Sequence, residues 1–96
     1  METALDDGRL VWVFHAAGAQ FAGGVFSSLE TAETWISQHQ LTGLLTGYPL
    51  DEGAYDWAIR RGSFRVKRPH QQAPGFIGKF ASGELHHHYE AGSRVA

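Results

Sequence analysis

Leu10–His15, which reads LVWVFH, decides the fold. In an extended chain Trp12 and Phe14 lie on one face and Val11 and Val13 on the other, because side chains alternate along a strand. Apolar residues on both faces are typical of a central strand that is covered on both sides, or on one side with a tight partner on the other. We therefore expect this stretch to lie within the sheet.

The residues that follow this strand predict a hairpin. Ala16–Gln20 is expected to be a loop, and Phe21–Phe26 is expected to be a second strand paired with the first. The adjacent Gly23 and Gly24 indicate a bulge or a close approach of another backbone segment.

A capping box predicts the first helix. Ser27 followed by Glu30 matches the pattern S-x-x-E, and the helix is expected to continue to about Gln40. Leu41–Leu50 then alternates as a strand does, and Pro49 places its end at an edge or a terminus. The apolar stripe of the helix consists of Leu29, Ala32, Trp35 and Ile36.

A second helix is predicted from about Asp51, which suits an N-cap, to Arg61. Gly62 follows at the position where a left-handed residue commonly ends a helix. The buried stripe, with Trp57 at its flank, consists of Ala54, Tyr55, Ala58 and Ile59.

The C-terminal third predicts a loop and a closing hairpin. Residues 63–67 are expected to be extended, and Arg68–Gly75 is expected to be a loop because it contains two prolines. Phe76–Phe80 and Leu85–Tyr89 are predicted to pair as strands around a turn at residues 81–83.

Together these elements predict an α+β fold with the order β-β-α-β-α-(β)-β-β. The sheet is expected to be mixed but mostly antiparallel, with the two helices packed on one face. Residues 1–96 are predicted to form a single domain whose ordered core spans about residues 9–90, with frayed termini at residues 1–8 and 91–96.

The composition is that of a globular domain. Of the 96 residues, 43% are hydrophobic and 19% are charged. The chain contains no cysteine, which excludes disulfides, thiol catalysis and iron–sulfur clusters.

No apolar run approaches the roughly 18 residues of a membrane span. Met1–Arg9 is short, acidic and polar, unlike a signal peptide, so we expect a cytoplasmic, soluble protein with no contact to a membrane.

Charge is distributed unevenly along the chain. The net charge is −2, but the first 56 residues hold eight acidic residues and one basic residue, whereas residues 57–83 hold six basic residues and no acidic one. Such a segment, with aromatic rings among its bases, can dock an acidic protein surface or hold nucleic-acid phosphates. Alternatively, it is solvated or paired with the acidic half. The predicted partner-binding residues are Tyr55, Trp57, Arg60, Arg61, Phe64, Arg65, Lys67 and Arg68.

Histidines supply the second group of candidate site residues. On a strand His86, His88 and Glu90 share one side, and two imidazoles with a carboxylate can ligate a metal, although a wet strand face is the alternative. His15, at the end of the first strand, is a candidate base or ligand, or a residue bonded to backbone. Three acidic residues near the start of the second helix could bind a cation, although helix capping explains them equally well. They are Asp51, Glu52 and Asp56.

Several stretches resemble a family of small uncharacterised bacterial domains: VWVFHAAGAQFAGGVFSSLETAETWI, LTGLLTGYPLDEGAYDWAI, FIGKF and HHHYE. The resemblance covers about residues 10–90. It implies a compact α+β fold and an association with toxin–immunity or other partner-binding systems. It carries no catalytic residue and no cofactor over to this chain.

These observations predict a non-enzymatic domain of immunity, inhibitor or accessory type that binds a protein or peptide with an acidic surface. The second helix and the following basic segment are the expected contact surface, and no cofactor is expected. Pairing along the edge of residues 41–48 is a second mode, which includes a homodimer. Two alternatives remain: a small histidine-based metal- or ligand-binding protein or enzyme, and nucleic-acid binding through residues 60–68, which the pI near 6.3 disfavours.

Overall fold

The computed structural model describes residues 9–81 and 83–95 and divides into two compact units. The first unit contains the described residues of Met1–Leu50 and Leu85–Ala96, and the second contains those of Asp51–Glu84. Along the chain, the second unit therefore interrupts the first. The predicted frayed N-terminus, Ser82 in the predicted turn, and Ala96 lie outside the described residues.

A five-stranded sheet forms the framework of the first unit. Its order is β2-β1-β3-β4-β5, and every neighbouring pair is antiparallel, so the sheet is not mixed. The leading stretch LVWVFH lies in the second position of the sheet, with a partner on each side, as a central strand should. The strands are β1 (Leu10–Ala16), β2 (Gly24–Phe26), β3 (Gly43–Pro49), β4 (His86–Glu90) and β5 (Ser93–Val95).

One helix, α1 (Leu29–Gln38), packs against β1 and β2. Because side chains alternate, the α1 face of the sheet receives Phe14 from β1 and its cross-strand partner Leu45 from β3. Burial of these apolar side chains is the main stabilising contribution to the unit. The buried core consists of Phe14, Ala32, Ile36, Leu45 and Tyr89, with Trp12, Phe26, Leu29, Trp35 and Leu41 packed around it.

The helix begins one residue later than the capping box predicts. Ser28, not Ser27, is the N-cap, and its Oγ accepts a hydrogen bond from the N–H of Thr31 at 3.1 Å. Both serines can satisfy an unpaired helix N–H, so the local pattern does not distinguish them. The observed start places Ala32 and Ile36 in the core, where both are fully buried.

β5 forms a hairpin with β4 where the sequence predicted a tail at residues 91–96, whereas the predicted strand Leu85–Tyr89 corresponds to β4. Glu90 pairs with Ser93 across the two-residue turn Ala91–Gly92. These two residues have φ values of 47° and 89°, the left-handed conformation that a type I′ turn needs at both positions. The prediction was wrong because alanine rarely occupies the first of these positions, where Asn or Asp is the usual signal.

The hairpin of β1 and β2 is shorter than predicted. β2 covers only Gly24–Phe26 of the expected strand Phe21–Phe26. The N–H of Gly23 still donates to the carbonyl of Phe14 at 2.8 Å, but Phe21 is 75% exposed and has no place in the core.

The second unit consists of α2 (Ala54–Arg61), a short 3-10 helix (Pro69–Gln72) and α3 (Pro74–Lys79). α2 ends as predicted, with Gly62 at φ 83°. Its N-cap is Gly53 rather than the predicted Asp51, which lies in the preceding turn at φ 63°.

The predicted strand Phe76–Phe80 was wrong, because this stretch lies in and at the end of α3. Apolar residues four apart share a face on a helix and also on a strand, so their spacing is ambiguous. Pro74 resolves the ambiguity, since proline is favoured at the first position of a helix.

The α+β class predicted from sequence is confirmed. α1 packs on the sheet as expected, whereas α2 belongs to the second unit, and residues 63–67 lie outside any strand. Within residues 9–81 and 83–95, no helix combines the length and the apolarity needed to cross a membrane.

Replacing Gly92 by alanine is expected to destabilise the first unit more than replacing Gly18. Both glycines have positive φ, which costs an alanine about 1 kcal/mol. A Cβ on Gly92 would in addition lie 3.0 Å from the Cα of Gln40 and 3.2 Å from that of Ser37, whereas one on Gly18 would meet nothing within 4 Å. Urea unfolding should therefore give Gly92→Ala a loss about 1 kcal/mol larger than Gly18→Ala; equal losses would contradict the close backbone approach at this turn.

Candidate functional site

Two residues of the predicted docking surface lie inside the second unit. Trp57 is 1% exposed and Tyr55 is 7% exposed. The Tyr55 ring packs against Phe64, Phe76 and Phe80, with ring centroids 5.6–6.3 Å apart. This aromatic cluster encloses Tyr55, and Trp57 is also buried, so both are removed from the docking surface and the half-buried Phe64 serves mainly in packing.

Arg60 and Arg61 are held by carboxylates of their own unit. Arg60 donates to the two carboxylate oxygens of Glu52, through Nε at 3.1 Å and Nη2 at 2.9 Å. Arg61 Nη2 donates to Glu84 at 3.3 Å, and its guanidinium lies 4.6 Å from the ring centroid of Trp57. The charges of both arginines are therefore largely matched within the protein, as the self-paired alternative anticipates.

Arg65, Lys67 and Arg68 form the remaining basic surface, which we call the basic rim. All three side chains are exposed, and in the described part of the chain none of them forms an ion pair with a carboxylate. Gln71 fixes the backbone of the rim, because its Oε1 accepts from the N–H groups of Lys67 at 2.7 Å and Arg68 at 3.1 Å. The carbonyl of Gln71 in turn accepts from the hydroxyl of Tyr55 at 2.8 Å. The sequence gives no signal for this role of Gln71.

A cavity of 430 Å³ opens beside the basic rim. A space of this size can accept one or two side chains of a partner, with cationic groups at its mouth. It is lined by Gly62, Ser63, Phe64, Arg65, Lys67 and Gln71.

The C-terminal histidines lie where strand alternation places them. His86 and His88 occupy the same face of β4, with ring centroids 5.1 Å apart. Both are exposed. This is the face opposite α1, because the intervening His87 pairs with Leu45 of the core.

A row of side chains crosses the sheet on this same face. His15 of β1 pairs with Leu44 of β3, Leu44 pairs with His88 of β4, and His88 pairs with Val95 of β5. The register thus brings His15 and His88 onto one surface, although 72 positions separate them in the printed sequence. Glu90 follows His88 on the same face.

A groove of 680 Å³ lies along this row, and we call it the histidine groove. It brings together two residue groups that the sequence kept apart, the strand-end histidine and the C-terminal histidine with its carboxylate. Thr42, Leu44 and Val95 were not anticipated as lining residues, because only the register reveals them. The lining consists of His15, Ala16, Ala17, Thr42, Gly43, Leu44, His88, Tyr89, Glu90 and Val95.

Neither set of candidate metal ligands converges. Across residues 9–81 and 83–95, no group of three or more His, Cys, Asp or Glu side chains could hold a metal ion. His86, His88 and Glu90 therefore share a face without forming a coordination site in this structure. In the acidic group Asp51, Glu52 and Asp56, the carboxylate of Glu52 is bonded to an arginine.

On the α1 face, one carboxylate oxygen accepts hydrogen bonds from side chains on two strands, β4 and β5. Glu33 Oε2 accepts from the hydroxyl of Tyr89 at 2.5 Å and from Arg94 Nε at 2.9 Å, and it also accepts from Arg94 Nη2. This network joins α1 to β4 and β5. Sequence reasoning missed it because the three residues become neighbours only when the last hairpin forms.

The network shifts the protonation of its members. The hydrogen bond from Tyr89, with the hydrogen bond and charge of Arg94, holds the pKa of Glu33 below its ordinary value against the opposing effect of burial. Burial, together with the Glu33 acceptor, raises the pKa of Tyr89 to about 12. Burial and the positive charge of Arg94 lower the pKa of His87, whose ring stacks on Trp12 at 5.9 Å between centroids.

The described residues thus form an α+β fold that carries the histidine groove and the cavity beside the basic rim. The chain belongs to a family described as a domain of unknown function (DUF7710), whose model matches residues 11–95. No curated protein and no solved structure matches it.

Replacing Glu33 by glutamine is expected to lower the free energy of unfolding by about 1 kcal/mol at pH 7, because the donors then face a neutral acceptor in a partly exposed site. The pKa of Glu33 is lowered in the fold, so this contribution is complete above about pH 4.5 and is lost as the pH falls through the lowered value. Urea unfolding of both proteins across this range measures the difference. Glu90→Gln, an exposed change on β4 whose side chain forms no hydrogen bond or ion pair within the described residues, is the control and should show no such difference.

Alkaline titration should reveal a late-ionising tyrosine. The absorbance of tyrosinate is expected to show a component near pH 12 that disappears in Tyr89→Phe and persists in Tyr48→Phe. Circular dichroism at each pH establishes that the protein is still folded. If Tyr89→Phe leaves the late component in place, the bond to Glu33 is not what delays it.

Proposed function

We propose that this protein is a non-enzymatic binding domain whose basic rim captures an acidic segment of a partner protein. Arg65, Lys67 and Arg68 are the contact residues, and the adjacent cavity receives a side chain of the partner. The proposal keeps the predicted basic segment and omits Tyr55 and Trp57, which are buried, and Arg60 and Arg61, which already have acidic partners.

The observation that supports this proposal is that the second unit contains both arginines paired with carboxylates and basic side chains without such a partner among the described residues. Two of the five arginines and lysines between positions 60 and 68 are bonded to carboxylates, whereas the three of the basic rim face solvent and pair with no carboxylate of residues 9–81 and 83–95. Because Gln71 and Tyr55 fix the backbone of the rim, less conformational entropy is lost when a partner binds.

The charge of the whole chain favours a protein partner over nucleic acid. The net charge is −2 and the pI is near 6.3, so the long-range field does not attract a polyanion. An acidic peptide presents only a few charges and can meet the rim locally. Phe64 packs into the aromatic cluster and is half-buried, so it offers less open ring face for base stacking than an exposed aromatic side chain would.

The immunity or inhibitor role, the bacterial origin and the cytoplasmic location expected from the sequence belong to this same proposal. Charge complementarity speeds encounter and disfavours wrong partners, so a rim of three cations suits such a role. The absence of cysteine is compatible with a reducing compartment.

Charge reversal at the basic rim tests the proposal. A short fluorescent peptide rich in Asp and Glu is titrated with the protein, and anisotropy gives the dissociation constant. Lys67→Glu is expected to weaken binding about tenfold, roughly 1.4 kcal/mol, because one attractive contact becomes repulsive. The effect should shrink as salt is added.

Lys79→Glu is the matched control, since it makes the same change in net charge on the exposed end of α3. Binding should be unchanged in this variant. If both substitutions weaken peptide binding equally, the peptide is attracted by net charge alone, and the basic rim is rejected as the binding surface. A single-stranded RNA that binds more tightly than the peptide, and that Lys67→Glu releases, would favour the nucleic-acid alternative.

A further inference from the structure

We propose that the histidine groove binds a small amphipathic amine, with its ammonium group at Glu90 and its apolar body along Leu44. The ligand would be a primary amine on a flat apolar body about the size of one aromatic side chain. This site lies in the first unit and is independent of the basic rim.

The apolar part of the groove suits such a body. Leu44 of β3 and Val95 of β5 place apolar side chains on this face, and Ala17 adds a methyl group from the loop after β1. A volume of 680 Å³ falls within the range of small-molecule sites, which are commonly lined by apolar groups with a few polar ones. The apolar lining residues are Ala16, Ala17, Leu44 and Val95.

The polar part of the groove has hydrogen-bonding capacity that the protein does not use. Within the described residues, the side chains of His15 and Glu90 form no hydrogen bond, ion pair or ring contact, and the ring contact of His88 is to His86. Thr42 Oγ1 already accepts from the N–H of Ala91 at 3.0 Å. A ligand with several N–H donors can therefore bond to a carboxylate and to neutral imidazole nitrogens in one place.

The sign of the charge selects an amine over an acid. Glu90 is the one lining residue with a formal charge when histidine is neutral. The nearest cation in sequence, Arg94, is the cross-strand partner of Tyr89 and lies on the α1 face, where Glu33 binds it. An ammonium group is attracted to Glu90, whereas a carboxylate in the same position is repelled.

Three probes of the same shape separate the contributions. Phenethylamine, phenylacetate and phenethyl alcohol share a ring and a two-carbon side chain but carry a positive, a negative and no charge. Each is titrated into the isotope-labelled protein while backbone amide shifts are recorded. We expect saturable shifts at Ala17, Leu44, Glu90 and Val95 with the amine, at least tenfold weaker binding of the alcohol, and no saturation with the acid.

Two variants assign the binding to named groups. Glu90→Gln should weaken binding of the amine about tenfold and abolish its advantage over the alcohol, because the charge-assisted bond is lost. Glu30→Gln removes an exposed carboxylate elsewhere on the first unit and should leave binding unchanged. The proposal is overturned if phenylacetate binds as well as the amine, if the shifts map outside the groove, or if Glu90→Gln binds like the wild type. Lys67→Glu should not affect the amine, so failure here and failure of the basic rim are distinguishable.

Discussion

The antiparallel register of the sheet is the constraint on which both of its faces depend. The pairing that sets Phe14 opposite Leu45 in the core also sets His15 opposite Leu44 on the other face. Because side chains alternate with a period of two, a slip of one residue in any strand would exchange buried and exposed groups. Core packing under α1 therefore specifies the histidine groove, even though the groove lies on the opposite side.

Much of the fold was predictable because the periodicity of its central elements is strong. β1, α1, β3 and α2 follow from apolar spacing and from local helix-end signals. Two errors have local physical causes. The spacing of Phe76 and Phe80 fits both a helix and a strand, and the turn at Ala91 uses a residue that rarely adopts its conformation.

The candidate sites were less predictable, because the sequence gives the charged residues but not which of them form ion pairs in the folded chain. Arg60 and Arg61 stand in one basic run with Arg65, yet only tertiary structure shows that Glu52 and Glu84 neutralise the first two. Trp57, a flank position by helical spacing, is 1% exposed. Amphipathic pattern predicts which side of a helix is buried, but not how far the buried sector extends around it.

The position of the second unit within the first has a consequence for assembly. β3 ends at Pro49 and β4 begins at His86, and the N–H of Gly47 bonds to the carbonyl of Leu85 at 2.8 Å where the chain returns. Closing this long excursion costs more chain entropy than closing the neighbouring hairpins, which favours formation of those hairpins before β4 pairs with β3. β1, β2, α1 and β3 are contiguous in sequence and precede β4, so they emerge from the ribosome before it. The surface shared by His15 and His88 is therefore complete only once β4 has paired with β3.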